Sequence, residues 1–139
     1  MSLSRLVVTL TAVATVGLAA QASAAAAPEL LHFKSGGRIA SGVVAKYDLK
    51  EESTDFEYRI RAERIKVAVF KRTPGAWKRI GVVRASPPKP LNFWRVFKSM
   101  GTGRYRLVAR AVSGSGENRE QSSAKRIRFR VVTHIPHDD

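Results

Sequence analysis

Apolar and basic residues largely alternate in two segments near the carboxyl end of the chain, residues 103–112 and 125–132. A period of two predicts strands with one buried face and one solvated face. Residues 113–118 between them carry the glycines and serines typical of a turn. We therefore expect a closing antiparallel hairpin whose solvated face is almost wholly arginine. Its outward residues are Arg104, Arg106, Arg110, Arg126, Arg128 and Arg130.

Shorter runs upstream predict further strands. They are apolar or alternate with period two, and they comprise residues 30–33, 56–61, 64–70 and 77–83. The Pro74-Gly75 pair predicts a turn before the last of these. We expect residues 64–70 to lie beside the closing hairpin and to add Arg64 and Lys66 to its outer face.

The prolines of residues 85–90 forbid a central strand, so we expect an extended crossing there. Residues 91–97 contain three aromatic side chains and predict an aromatic strand. The sequence carries no good amphipathic helix pattern. Short strands separated by turn signals favour an all-β fold, an antiparallel two-sheet sandwich of about seven strands.

The amino-terminal pattern predicts export. Arg5, an apolar stretch and the small residues before position 25 are typical of a cleaved signal peptide over residues 1–24. The alternative is a membrane anchor, but the apolar run is short and no basic cluster follows it. We expect a disordered leader over residues 25–29, one β-sandwich domain over 30–133 and a polar tail over 134–139. The expected location is secreted, periplasmic or cell-wall associated, with no transmembrane segment after cleavage.

Composition narrows the chemistry further. The chain has no cysteine, which excludes disulfides and thiolate metal sites and is typical of a bacterial rather than a small eukaryotic exported protein. Its 25 basic and 11 acidic residues give a net charge of +14. Such a chain is attracted to anionic polymers and surfaces, although an arginine-rich genome and solubility explain the same balance.

A tyrosine-containing pattern runs along the penultimate predicted strand into a glycine-rich loop: Gly103-x-Tyr105-x-Leu107-x-Ala109-x-Ala111, then Gly114, Gly116 and Asn118. Together with residues 56–70, this pattern resembles bacterial secreted immunoglobulin-like and fibronectin type III-like modules. The likeness spans roughly residues 54–132 and lacks the cysteine pair. It implies an immunoglobulin- or fibronectin III-like sandwich and a structural, corner-forming role for Tyr105. It transfers no activity, because such folds host many functions.

The main functional candidate is what we call the arginine face, a set of eight basic residues: Arg104, Arg106, Arg110, Arg126, Arg128, Arg130, Lys66 and Arg64. With a turn centred on Asn118, Arg106 should oppose Arg130 and Arg110 should oppose Arg126. Opposed like charges destabilise a sheet, so an anionic partner could offset them. Two interpretations stay open: a face that binds an anionic glycopolymer or envelope surface, and a face that is merely solvated.

Other candidates are weaker. The aromatic residues could form an exposed patch, although strand aromatics are mostly core. A free strand edge or such a patch would instead suit a protein partner. His134 and the histidine and aspartates of residues 137–139 could hold a metal, but a tail lacks the rigidity for a tight site. No motif indicates catalysis, a cofactor or sequence-specific nucleic-acid binding, so we expect a non-catalytic binding module.

Overall fold

The computed structural model describes residues 27–136. Within this range the chain forms eight strands: β1 (Glu29–Ser35), β2 (Val43–Ala45), β3 (Phe56–Arg61), β4 (Arg64–Thr73), β5 (Ala76–Ala85), β6 (Gly103–Ser113), β7 (Glu120–Gln121) and β8 (Lys125–Val132). Single helical turns lie at α1 (Leu49–Glu52) and α2 (Trp94–Phe97), with 3-10 turns at Arg38–Ser41, Lys46–Asp48 and Gly116–Asn118. The predicted signal peptide and the last three residues of the tail lie outside the described residues. Glu29, predicted in the leader, begins β1.

The strands form two sheets, as the all-β prediction requires. The larger sheet has the order β2-β8-β6-β4-β5, with β7 paired to β6, and the smaller sheet pairs β1 with β3. The prediction of wholly antiparallel pairing is wrong at one edge, because β2 runs parallel to β8. The sequence left residues 39–49 undecided, because Val43 and Val44 allow a strand whereas Gly42 weakens it. The predicted hairpin turn at Pro74-Gly75 is confirmed between β4 and β5.

One core lies between the two sheets. Phe33 and Phe56 of the small sheet belong to the same buried cluster as Val67 and Leu107 of the large sheet. The rings of Phe56 and Phe93 are 4.5 Å apart at their centroids, which joins the loop before β6 to this core. The described residues therefore form a sandwich-like pair of layers.

The predicted aromatic strand over residues 91–97 is wrong, because these residues form a loop and helix α2. The Asn92 side chain accepts a hydrogen bond from the Trp94 backbone N–H at 2.9 Å, a local turn that competes with strand pairing. Phe93 and Phe97 are four residues apart and both fully buried, which is the spacing of a helical face. Their spacing in the sequence was a helical signal.

The predicted extended crossing before this helix is also wrong. Residues 86–90 form a turn in which the Lys89 N–H donates to the Ser86 carbonyl at 2.9 Å, and the Pro87-Pro88 peptide is cis. The turn lies beside β3, where the Tyr58 hydroxyl donates to the Lys89 carbonyl at 2.6 Å. This arrangement leaves one edge of β3 facing a proline-rich turn instead of another strand.

Candidate anion-binding face

The eight residues of the arginine face lie on the outer surface of the large sheet. In β4, β6 and β8 they occupy the parity opposite to buried residues such as Ile65, Leu107 and Phe129. The alternation in the sequence therefore predicted correctly which side of each strand is buried. Because β8, β6 and β4 are neighbours, the fold brings all eight basic residues onto one surface.

The register of the closing hairpin differs from the prediction by two residues. Arg104 lies opposite Arg130, and Arg106 lies opposite Arg128. The predicted pairing of Arg110 with Arg126 is wrong, because Val108 takes the position opposite Arg126. The 3-10 turn Gly116–Asn118 centres the hairpin on Glu117 rather than on Asn118. A shift of two preserves the side-chain parity, so the face keeps its charge while the partners change.

Lys66 forms the middle of a row of three cations. It lies opposite Arg110 of β6 on one side and opposite Arg84 of β5 on the other. The pKa of Lys66 is lowered by burial, and to a lesser extent by Arg119, Arg84, Arg79 and Arg110. The ammonium group therefore lies in a field that disfavours its charge.

Arg106 is held against two aromatic rings. Its guanidinium carbon lies 4.7 Å from the Trp77 ring centroid and 5.3 Å from the Phe70 ring centroid. These are cation–π distances, at which the ring faces attract the cation. The Arg106 Nε atom is buried and has no hydrogen-bond partner among the described residues. The stack thus fixes the guanidinium while leaving a donor in its plane unpaired.

Two other members of the face are anchored to backbone groups. Arg64 donates to the Gly114 carbonyl at 2.6 Å and to the Glu63 carboxylate at 3.3 Å. Arg110 donates from Nη1 to the Ser122 carbonyl at 3.0 Å. The first contact ties the start of β4 to the loop after β6, so the guanidinium of Arg64 is engaged in holding the fold. The second contact orients Arg110 through Nη1 and does not use the other N–H donors of its guanidinium.

Carboxylate compensation on this face is sparse. Within residues 27–136 four side-chain ion pairs occur, and Arg64 with Glu63 is the one that involves the arginine face. The other three pairs bring together His32 with Glu57, Arg38 with Asp48 and Arg61 with Glu29. Seven of the eight basic residues therefore have no acidic partner in the described part of the chain.

A depression of about 270 Å³ opens in the middle of the face. Its floor contains Ala68 and Val108, which lie directly opposite each other on β4 and β6. The remaining lining residues are Lys66, Phe70, Arg79, Arg106, Arg110, Gln121 and Arg126. Small residues in one row and long cations in the rows on either side produce this recess.

Sequence reasoning missed the contribution of β5 to this surface. Arg79 lines the depression and Trp77 carries the stack on Arg106. Arg79 lies opposite Phe70, whereas Gly81 lies opposite Val69, so an irregularity in β5 leaves Ile80 without a partner. This bulge changes the parity along β5, and a strict period of two cannot reveal it. A tryptophan and an arginine two residues apart were the available signal.

The weaker candidates are distributed elsewhere. Trp77 and Trp94 are partly exposed, whereas Phe93 and Phe97 are core residues. No group of three or more potential metal ligands occurs within the described range, and residues 137–139 of the predicted tail site fall outside it. A larger cavity of about 720 Å³ lies between β3 and residues 87–90. No helix in the described range is long and apolar enough to cross a membrane.

Comparison with known proteins assigns no relatives. The chain matches no protein-family model, no curated protein and no solved structure. The chemistry of the arginine face and of the cavities is therefore the basis for a functional proposal.

Proposed function

We propose that this protein is an exported, non-catalytic binding module whose arginine face engages an anionic glycopolymer of the cell envelope. The observation that carries the proposal is the set of cross-strand cation pairs, Arg104 with Arg130 and Arg106 with Arg128, on a face with a single carboxylate partner among the described residues. Directly opposed like charges cost about 0.2–1 kcal/mol per pair. A bound polyanion would offset this cost.

The geometry favours binding over simple solvation at two positions. Exposed arginines can turn apart and leave their charges in water. Lys66 and Arg106 are half-buried, and Arg106 is held by two aromatic rings, so these cations have less freedom to separate. Guanidinium groups present planar pairs of donors that suit phosphate, sulfate and carboxylate. Binding through such a face should be fast and strongly dependent on salt.

We also propose that the sandwich is of the immunoglobulin or fibronectin III type. Tyr105 is almost fully buried near the start of β6, and its hydroxyl donates to the Gly101 carbonyl four residues upstream at 2.8 Å. Immunoglobulin-like folds use a corner tyrosine with this kind of backbone bond. The two-layer arrangement is compatible with this architecture. The function rests on the arginine face, because the fold class alone assigns none.

The test is retention of the purified protein on immobilised heparin, a sulfated glycopolymer, across a sodium chloride gradient. An Arg128→Glu/Arg130→Glu variant should elute at much lower salt than the wild type. A matched Lys50→Glu/Lys98→Glu variant reverses two exposed charges away from the face and should stay near the wild type. Circular dichroism checks that each variant is folded. Equal early elution of both variants would show attraction by net charge alone and overturn the proposal.

A second candidate function, strand-mediated protein binding, is favoured by the open edge of β3. Within residues 27–136 this strand pairs with β1 alone, and the prolines in residues 87–90 lack the N–H groups needed to form a ladder with it. The Gly36 N–H donates to the Asp55 carbonyl at 3.0 Å. In an antiparallel pair the backbone N–H and C=O groups of successive residues point alternately toward and away from the partner strand, so this bond directs those of Tyr58 away from β1. An extended segment of a partner protein could pair there.

The charged groups beside this edge favour a partner segment of complementary charge. Arg59 and Lys89 line the cavity together with apolar side chains. The carboxylate in the lining, Glu57, lies 3.4 Å from the Nε2 atom of His32, which leaves the two cations for a partner. An extended peptide that alternates valine and glutamate fits both features. Hydrogen exchange should show new protection of the Tyr58 amide with this peptide and none with a valine–lysine control. Absence of protection with either peptide at millimolar concentration would rule out this second function.

A further inference from the structure

The depression on the arginine face has the organisation of a discrete binding site. The side chains of Ala68 and Val108, which lie opposite each other, are short and apolar. The floor of the recess is therefore apolar and lies below the charged ends of the side chains around it. Lys66 and Arg110 oppose each other in the row on one side, and Arg106 lies in the row on the other side. Arg126 flanks the floor from β8, directly opposite Val108. The cations thus surround the recess from several directions.

The lining is electrostatically one-sided. Five of the nine lining residues are cationic and none is acidic. A single carboxylate would neutralise one of these charges, whereas a phosphate ester carries about −1.5 to −2 at pH 7 and offers three acceptor oxygens. Carboxylate oxygens also lie in one plane, while the donors here approach from four strands, β5, β4, β6 and β8. The arrangement favours a tetrahedral oxoanion.

Two of the donors are already oriented. The aromatic contacts of Arg106 use the face of its guanidinium and leave the in-plane Nη donors for an acceptor. The bond to the Ser122 carbonyl fixes Arg110 in a similar way. Ordered donors lose less conformational freedom when a ligand binds. The lowered pKa of Lys66 agrees with a site whose charge is uncompensated in the free protein.

We propose that this recess binds one tetrahedral oxoanion, the phosphate or sulfate ester of a sugar unit, and thereby gives the arginine face a preference within the anionic glycopolymers. The inference rests on the proposed function, because the rest of the face would hold the polymer on either side of the recess. The volume of about 270 Å³ is slightly below the roughly 300–1,000 Å³ typical of small-molecule sites. It therefore suits one substituted sugar unit, with the chain of the polymer outside.

The experiment titrates glucose 6-phosphate, glucose 6-sulfate and glucuronate into the isotope-labelled protein and follows the amides of Ala68 and Val108 by NMR. We expect saturable shifts with the two esters and at least tenfold weaker binding of glucuronate. Lowering the pH from 7.5 to 5.5 should weaken binding of the phosphate ester, whose second pKa is about 6, but not that of the sulfate ester. These arms separate the two ester types.

A filling substitution provides the decisive variant. Ala68→Ile adds bulk to the floor without changing charge, and a β-branched side chain suits a strand. We expect it to weaken glucose 6-phosphate binding at least tenfold, while its elution from heparin, which the rest of the face also holds, shifts much less than that of the Arg128→Glu/Arg130→Glu variant. Ala76→Ile makes the same substitution at an exposed position of β5 outside the recess and serves as the control. Lys66→Gln tests the same site by removing charge if the filled variant is unstable.

The outcomes separate this inference from the proposed function. Late elution of the wild type from heparin, combined with equal ester binding by wild type and Ala68→Ile, or with no ester binding at all, would overturn the recess and leave the polymer-binding face intact. Equal affinity for glucuronate and the esters would also overturn it. Early elution from heparin would reject the wider proposal independently of these titrations.

Discussion

The guanidinium carbon of Arg106 lies 4.7 Å from the centroid of the Trp77 ring, although the two residues belong to strands separated by β4. The ring centroid of Phe70, on the intervening strand, lies 5.3 Å from the same carbon. The contact therefore crosses the outer surface of the sheet and covers a cation that would otherwise be solvated. It couples the stability of this surface to the orientation of a donor in the recess.

Replacing Trp77 by leucine should lower the free energy of unfolding by about 1–3 kcal/mol, because apolar area and the cation–π contact are both lost. A double-mutant cycle with Arg106→Gln isolates the contact. We expect a coupling of about 0.5–2 kcal/mol from urea denaturation at low salt. Additive effects of the two substitutions would show that the arginine gains nothing from the ring.

Replacing Lys66 by methionine should stabilise the protein while weakening anion binding. The substitution removes a cation opposed by Arg84 and Arg110, so we expect a gain of about 0.5–1.5 kcal/mol at low salt. The gain should shrink as sodium chloride shortens the screening length. Thermal or urea unfolding at several salt concentrations measures it. A loss of stability at every salt concentration would mean that the aliphatic stem, not the charge, dominates at this position.

The sign of the pH dependence follows from the lowered pKa of Lys66. Between that pKa and the ordinary value near 10.4, the unfolded chain binds more protons than the folded protein. The contribution of this group to stability therefore rises with pH in that interval. The Lys66→Met variant lacks the contribution, so its advantage over the wild type should narrow as the pH rises toward about 10.4.

The burial parity of the arginine-face strands could be predicted from sequence because alternation is a local property. Arg106 lies between buried Tyr105 and Leu107, Arg110 likewise lies between buried residues, and this relation does not depend on the partner strand. The register does depend on the turn. A 3-10 turn centred on Glu117 moved every cross-strand pair by two residues. The parity survived, whereas the individual pairs did not.

The missed elements depend on contacts that are distant in sequence. Helix α2 begins where the Phe93 N–H donates to the Ser53 carbonyl at 2.9 Å, a contact over forty residues. A side chain on Gly81 of β5 would collide with the Val96 side chain of this helix, so packing of these two segments also depends on one glycine. The recess likewise requires Ala68 and Val108 to become neighbours across two strands. Local patterns carry none of this information.

Tyr105→Phe should cost about 1 kcal/mol of unfolding free energy at neutral pH, because the hydrogen bond to the Gly101 carbonyl is lost while the ring remains. Burial also raises the pKa of Tyr105. Above about pH 10 the unfolded chain therefore ionises before the folded protein, and this contribution to stability is lost as the pH rises. Between pH 8 and pH 10.5, the urea concentration at the unfolding midpoint should fall more for the wild type than for the variant. Equal decreases of the midpoint in the two proteins would contradict the assignment of this pH dependence to Tyr105.

Gly37→Ala should destabilise the connection between β1 and β2. A Cβ atom at this position would meet the carboxylate oxygens of Glu52 and Asp55, and Glu52 is 5% exposed. The Glu52 carboxylate also accepts a hydrogen bond from the Ile39 N–H at 3.3 Å, so it cannot move without losing that partner. We expect a loss of about 1–3 kcal/mol from overpacking.

The matched control for this substitution is Gly101→Ala. A Cβ atom on Gly101 would meet no atom of residues 27–136 within 4 Å, so the change should stay within about 0.5 kcal/mol of the wild type. Urea denaturation of both variants gives the comparison. Equal stability of the two variants would show that the Glu52 and Asp55 side chains move aside freely, and that the close packing around Gly37 contributes little to the fold that supports the arginine face.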